Sequence, residues 1–268
     1  MSTPARIALT HVSKRFVGPN PKHPGTQVLS DVSLALGAGE LVCLLGASGC
    51  GKSTILNLLA GFERSDQGQL LINGKSITGP GPDRGMVFQQ PTLFPWLTVL
   101  DNVTFGPRMA GHASEHYLTA AQHYLRLVGL QDHANHFPWQ LSGGMRQRAA
   151  LARAWLPNPD ILLMDEPFGA LDAQTRLAMQ ELLTRIWQTT GTTLLFVTHD
   201  VDEALFLADR VLIMSSQPGR IREELQVPFE RPRSIEDLVA DPAYGQLKRR
   251  ILHVVREEAA KSLPTETV

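Results

Sequence analysis

An unbroken apolar run, Leu41–Leu45, passes directly into Gly46-Ala47-Ser48-Gly49-Cys50-Gly51-Lys52-Ser53-Thr54, and helical spacing follows from Lys52 to Ala60. A short apolar run ending on glycine is what a strand buried on both faces requires, and such strands belong to sheets covered by helices. The segment is therefore a strand, loop and helix unit. Gly46, Gly49 and Gly51 permit backbone angles that aim successive N–H groups inward, and the new helix adds the positive end of its dipole. Gly46, Ser48, Gly49, Cys50, Gly51, Lys52, Ser53 and Thr54 together match the phosphate-loop pattern in the context its mechanism needs. A triphosphate fits that concavity, with Lys52 bridging the β- and γ-phosphates and the Ser53 hydroxyl on Mg²⁺.

A second apolar run, Ile161–Met164, ends in Asp165-Glu166-Pro167. Two carboxylates at a buried strand end require compensation by a cation or water. Asp165 is placed to hold the Mg²⁺ shell. Adjacent strand residues point to opposite faces, so Glu166 is free to turn to the γ-phosphate and polarise a water.

Further strands are expected at Arg6–Val12, Val28–Leu36, Gln69–Ile72, Met86–Phe88, Thr193–Val197 and Arg210–Met214, the first two as a hairpin-like start. Gly18–Gly25 is dense in breakers and reads as a loop. From Thr98 to Trp155 the pattern is mainly helical. The tail reads as a strand and one helix, Ser234–Lys261, with a frayed end.

Charge narrows the possible roles. Lys+Arg 25 against Asp+Glu 26 leaves −1, so no global field draws the chain to nucleic acid or an anionic bilayer. Cys43 and Cys50 cannot build a disulfide framework, which suits a reducing compartment. Met1–Arg6 lacks the apolar core of a secretory leader, and no run approaches the roughly 18 to 20 residues that cross a bilayer. Any membrane contact is expected through a partner.

Phosphate loops serve many ATPases and GTPases, so the discriminating segment is Leu141-Ser142-Gly143-Gly144-Met145-Arg146-Gln147-Arg148. It opens an amphipathic helix whose start exposes N–H groups and a dipole, and that end wants an anion. With Gln89 before it and His199 after Thr193–Val197, the order and spacing resemble the ATP-binding subunit of an ABC transporter over about Ile7 to Gly219. The resemblance implies an α/β fold, a RecA-like P-loop ABC nucleotide-binding domain with an antiparallel β subdomain and an inserted helical subdomain. One ABC ATPase domain is expected over 1–268: a β-rich and RecA-like core at 1–89 and 157–220, the helical subdomain at 90–156, and a C-terminal extension at 221–268.

The resemblance also implies roles. Glu166, His199, Lys52 and Gln89 form the catalytic set, ATP and Mg²⁺ are the cofactors, and Ser53, Gln89 and Asp165 hold the metal. Ser142, Gly143 and Gly144 contact the γ-phosphate held by the other subunit of a head-to-tail dimer, homodimeric or paired, and Asp172 faces that subunit. Phe16 stacks on adenine, where many relatives carry Tyr. Gln89 relays the state of the site to the helical insert.

Gly79-Pro80-Gly81-Pro82-Asp83-Arg84-Gly85-Met86-Val87-Phe88-Gln89, Leu93-Phe94-Pro95-Trp96 and Trp139-Gln140 look like the bacterial taurine, sulfonate and nitrate importers. That likeness implies transmembrane permease partners meeting a groove near Phe94, Pro95 and Trp96. It further implies a periplasmic or lipid-anchored solute-binding protein and a peripheral place on the cytoplasmic face of the inner membrane. An importer ATPase for another small solute is the alternative. A soluble DNA-repair or chromosome ABC ATPase needs a long coiled coil, for which the interval from Lys52 to Ser142 has no room. His112 and His116 have the i, i+4 spacing of a metal pair, but no Cys or local carboxylate pattern accompanies them, so a solvated helical face is expected.

Overall fold

The computed structural model describes residues 6–18 and 25–262. The chain runs β1 (Ile7–Phe16), β2 (Thr26–Leu36), β3 (Leu41–Leu45), α1 (Lys52–Ala60), β4 (Gln67–Ile72) and the short β5 (Lys75–Ser76). Then come β6 (Arg84–Val87), α2 (Val99–Met109), α3 (Ser114–Leu127), α4 (Gly143–Trp155), β7 (Ile161–Asp165) and α5 (Ala173–Thr190). β8 (Thr193–Thr198), α6 (Val201–Leu207), β9 (Arg210–Met214), β10 (Ile221–Gln226), α7 (Ile235–Ala240) and α8 (Pro242–Ser262) follow. Two compact units result, one made of the chain up to Gly81 with that from Thr193 onward, the other of Pro82–Thr192.

In the first unit, every residue of β3 and β8 is buried, as a strand covered on both faces must be. β3 lies between β8 and β9 and is parallel to both, with Leu41 opposite Leu194 and Val42 opposite Arg210. β10 adds an antiparallel edge to β9. The second sheet of this unit is antiparallel in the order β2-β1-β4-β5. β1 extends further than its alternation suggests because register shifts past Leu9 let it bend. His11 and Asp31 take left-handed angles there, and their side chains meet at 2.7 Å.

In the second unit, β6 and β7 pair in parallel, Arg84 opposite Ile161, and α2, α3 and α4 pack on one another. Val103, Leu125, Ala149 and Trp155 are buried among these helices. No strand interrupts the stretch from Thr98 to Trp155 among the described residues, as its pattern predicts.

The tail differs from the single helix expected over Ser234–Lys261. α7 stops at Asp241 and Pro242 opens α8, because proline cannot donate into a continuing helix. Asp241 caps the restart by accepting from Ala243 N–H at 2.8 Å. Cys43 and Cys50 are buried and outside any disulfide, and burial pushes the Cys43 thiol well above its ordinary range. Of the breaker loop Gly18–Gly25, residues 19–24 lie outside the described residues, as do residues 1–5 and the frayed end at 263–268.

Candidate functional site: the phosphate loop and the helix-start cavity

The first unit carries the phosphate loop. Gly51 sits at φ 101° and caps α1 without any side-chain hydrogen bond. A Cβ there would lie 2.5 Å from Leu29 Cδ2, so both angle and packing demand glycine. Gly46 is required for a different reason from the one its pattern suggests. Its φ is ordinary, but a Cβ would come within 2.8 Å of Cys50 Sγ. Close packing between the end of β3 and the loop, rather than a special angle, selects that residue. Lys52 is 6% exposed, and its ammonium donates to the carbonyls of Gly46 (2.8 Å) and Ala47 (3.2 Å). Ser48, Gly49 and Ser53 are exposed, so a buried cation lies beneath an open rim.

His199 is exposed on the turn between β8 and α6. Its neighbours hold that turn: the Thr198 hydroxyl donates to the buried Glu203 carboxylate at 2.5 Å, and Asp200 caps α6 by accepting from Asp202 and Glu203 N–H. Thr198, Asp200 and Glu203 were not singled out from the sequence, although an Asp before Val201 is a readable cap signal. Phe16 ends β1, is partly exposed, and has Lys14 Nζ 5.0 Å above its ring.

The second unit carries the carboxylates and the glycine-rich helix start. β7 ends at Asp165, and Glu166 lies beyond it with φ 42°, a left-handed angle uncommon for a side chain this large. The strand-alternation argument therefore does not apply to Glu166. Its direction is set by a strained turn closed by Gly169 N–H on the Glu166 carbonyl at 3.2 Å. Gln89 is exposed in a bend just past β6.

Ser142, Gly143, Gly144 and Asp172 are brought together. They line one cavity of about 860 Å³, which Gln89, Asp165 and Glu166 do not line. Two helices start there. Ser142 caps α4 by accepting from Met145 N–H at 3.2 Å, and Asp172 caps α5 by accepting from Thr175 N–H at 3.0 Å. Those bonds from Thr175, backbone first and then side chain, hold the Asp172 carboxyl below the usual carboxylate range. Both caps are exposed where they line the cavity.

The connection after Gln89 is ordered by a residue the pattern did not reveal. Asn102, fully buried in α2, accepts from Phe94 N–H at 2.7 Å and donates to the carbonyls of Phe94, Leu97 and Thr98 at 3.1, 3.0 and 2.9 Å. A polar residue on the apolar face of a helix was the available signal. Asn102 holds Phe94 against Phe105 (4.5 Å between ring centroids) and beneath the Arg153 guanidinium, and leaves Trp96 70% exposed. Trp139, stacked on Phe137, is 71% exposed.

His112 precedes α3 instead of lying within it, so it shares no helical face with His116. No group of three or more His, Cys, Asp or Glu among the described residues is placed to hold a metal.

Residues 29–169 match the ABC transporter family. The chain is 46% identical over 252 residues to the taurine import ATP-binding protein TauB of Roseobacter denitrificans, covering 93% of each. It is 49% identical over 229 residues to TauB of Pseudomonas aeruginosa, covering 84% of this chain and 87% of that protein. The dimeric structure of MJ0796, a bacterial ABC transporter cassette, matches with a TM-score of 0.73 at 32% identity, covering 84% of this chain and 100% of that one. A post-hydrolysis state of the same cassette, bound to ADP and Pi, matches with a TM-score of 0.72. The chain therefore belongs to the ABC transporter ATP-binding family. It is an ATPase, and its fold is the RecA-like cassette with an antiparallel β subdomain and a helical subdomain.

Proposed function

We propose that this chain is the ATP-hydrolysing subunit of a bacterial importer for taurine or a related sulfonate. The observation that carries the ATP reading is the buried Lys52 beneath the glycine-built rim of α1. Likeness to taurine import proteins over 93% of the chain supports the solute. Alkanesulfonates are the related sulfonates meant, and nitrate-like anions are the other candidates.

In this reading the chain acts as one ABC ATPase domain, with 90–156 its helical subdomain and 221–268 an extension. Gly46, Ser48, Gly49, Cys50, Gly51 and Thr54 wrap the phosphates of ATP, Lys52 neutralises their charge, and Phe16 stacks on the base. Ser53, Asp165 and Gln89 offer the hard oxygen donors that suit Mg²⁺, an ion that keeps much of its shell on phosphate and water. That donor chemistry fits an ion arriving with the nucleotide, and the ion would neutralise developing charge. Glu166 takes up the proton of the attacking water, His199 hydrogen-bonds that water and the γ-phosphate, and Gln89 passes the state of the site to the helical segment.

Ser142, Gly143 and Gly144 receive the γ-phosphate held by a second copy or a paired subunit, with Asp172 facing it. ATP then favours a closed head-to-tail dimer and hydrolysis opens it. No helix of the described residues is long and apolar enough to cross a membrane. Transmembrane permease subunits would dock at Phe94, Pro95 and Trp96 on the cytoplasmic face of the inner membrane, and a solute-binding protein would act on the far side.

Glu166→Gln should retain ATP binding while steady-state hydrolysis falls by about 100-fold or more, in the range general-base removal produces. An unchanged rate would remove Glu166 from the mechanism. For the solute, the ATPase rate of the chain copurified with its permease and binding protein should rise with taurine. A rise with nitrate alone would overturn the sulfonate reading.

A further inference from the structure

Helix α8 is connected to the phosphate loop by a continuous set of contacts within the first unit. Glu258, near its C-terminal end, has a carboxylate only 3% exposed, which is costly unless its oxygens are fully engaged. It accepts from Lys261 Nζ at 2.5 Å and from the backbone N–H of Ser216 at 3.1 Å, with Arg222 Nε at 3.5 Å. Ser216 belongs to the turn between β9 and β10. That turn is closed by Ser215 N–H on the Arg220 carbonyl at 2.9 Å and by the Ser215 hydroxyl on the Pro218 carbonyl at 3.1 Å.

The same turn lies on the phosphate loop. Gln217 Nε2 donates to the Gly49 carbonyl at 3.3 Å. Gly219 approaches so closely that a Cβ would lie 2.0 Å from the Cys50 carbonyl oxygen, and its N–H and C=O are paired with Val28 and Ser30 of β2. The other end of α8 is anchored as well. The Tyr244 hydroxyl and Lys248 ammonium reach Asp202 at 2.5 and 2.6 Å, in the first turn of α6 and three residues past His199. Tyr244 and Glu258 stand about 20 Å apart along a helix rising 1.5 Å per residue, so one rigid rod is fixed at both nucleotide-facing segments of this unit.

We propose that α8 is a brace that positions the phosphate loop, with Glu258 as its positioning residue acting through Ser216 and Gln217. The proposal rests on reading Gly46–Thr54 as the ATP loop. If it holds, residues after the sheet set nucleotide affinity without touching nucleotide.

The test is ATP affinity by calorimetry, alongside melting temperature, on the full chain. Glu258→Ala removes the acceptor and should weaken ATP binding about fivefold, whereas Glu258→Gln, whose amide oxygen can still accept from Ser216, should restore most of it. Lys261→Ala, which removes an exposed partner and leaves the Ser216 N–H bond in place, should leave affinity unchanged. Gln217→Ala is exposed and keeps the experiment decisive if Glu258→Ala does not fold. It should weaken binding about twofold to threefold, and the double variant should fall short of the product of the two singles. A lower melting temperature with unaltered affinity in Glu258→Ala, or unaltered affinity in Gln217→Ala, would overturn the brace. Lys52→Ala run beside them separates the two readings: weakened binding there with normal binding in Glu258→Ala sinks only the brace, and normal binding in Lys52→Ala sinks the loop assignment itself.

Discussion

The starts of α1 and α4 are both helix N-termini that suit an anion, yet they are built in opposite ways. α1 begins at a left-handed Gly51 with no side-chain cap, over a buried lysine and against the packed side chain of Leu29. α4 begins at an exposed Ser142 that caps its own helix, beside a second self-capped start at Asp172, and a Cβ at Gly143 would meet nothing within 4 Å. The first is shaped by its own unit's core. The second caps itself and stands open, which is what the proposed reading of a γ-phosphate brought by a second subunit requires.

The largest effect that tests this contrast is Lys52→Ala. Loss of a buried charge-assisted contact to phosphate should weaken ATP binding by about 10-fold to 100-fold, measured by calorimetry. A paired glycine experiment sharpens the contrast. Gly51→Ala should lower stability by about 2 kcal/mol, because both the angle and the Leu29 contact oppose a side chain. Gly143→Ala should leave the melting temperature unchanged or slightly higher, since alanine favours the helix by up to about 1 kcal/mol. If the cavity receives a partner's phosphate, Gly143→Ala should nonetheless reduce the ATPase rate at concentrations where the dimer forms. Equal destabilisation by the two substitutions would abolish the distinction.

The smallest effect is one of pH. The Asp172 carboxyl is held low by its cap bonds, so the stability it adds is present above the carboxylate's unfolded value and is lost as pH falls through the lower folded value. Acid melting curves of Asp172→Asn should lack that contribution. Identical curves for the two proteins would show the cap to be indifferent to charge.

Much of the local structure of the candidate site was readable because its determinants are local. A buried strand that ends in glycines and a lysine, and a serine followed by two glycines at a helix start, are short segments whose conformation follows from backbone geometry, and the proposed roles are built on that conformation. What stayed hidden depends on residues far apart in the chain. Asn102 orders the Phe94–Thr98 connection through four hydrogen bonds, and its place on an apolar helix face marks the residue without naming those partners. The direction of Glu166 was read from strand alternation, but the strand ends one residue earlier and a left-handed turn takes over. The break before Pro242 follows a local rule, yet the amphipathic pattern on both sides carries across it.

The sequence by itself determined which segments become β3, α1, β7 and α4, because apolar period, glycine placement and capping residues act within a few residues of one another. It also determined the family, through motifs that keep their order along the chain. Only the tertiary structure decided that Gly46 is a packing requirement rather than a turn. Only there does Glu258 meet the turn that rests on Gly49 and Cys50. The reason is that steric fit and the neutralisation of a buried charge are properties of neighbours in space, and a linear pattern does not record which distant residues those will be.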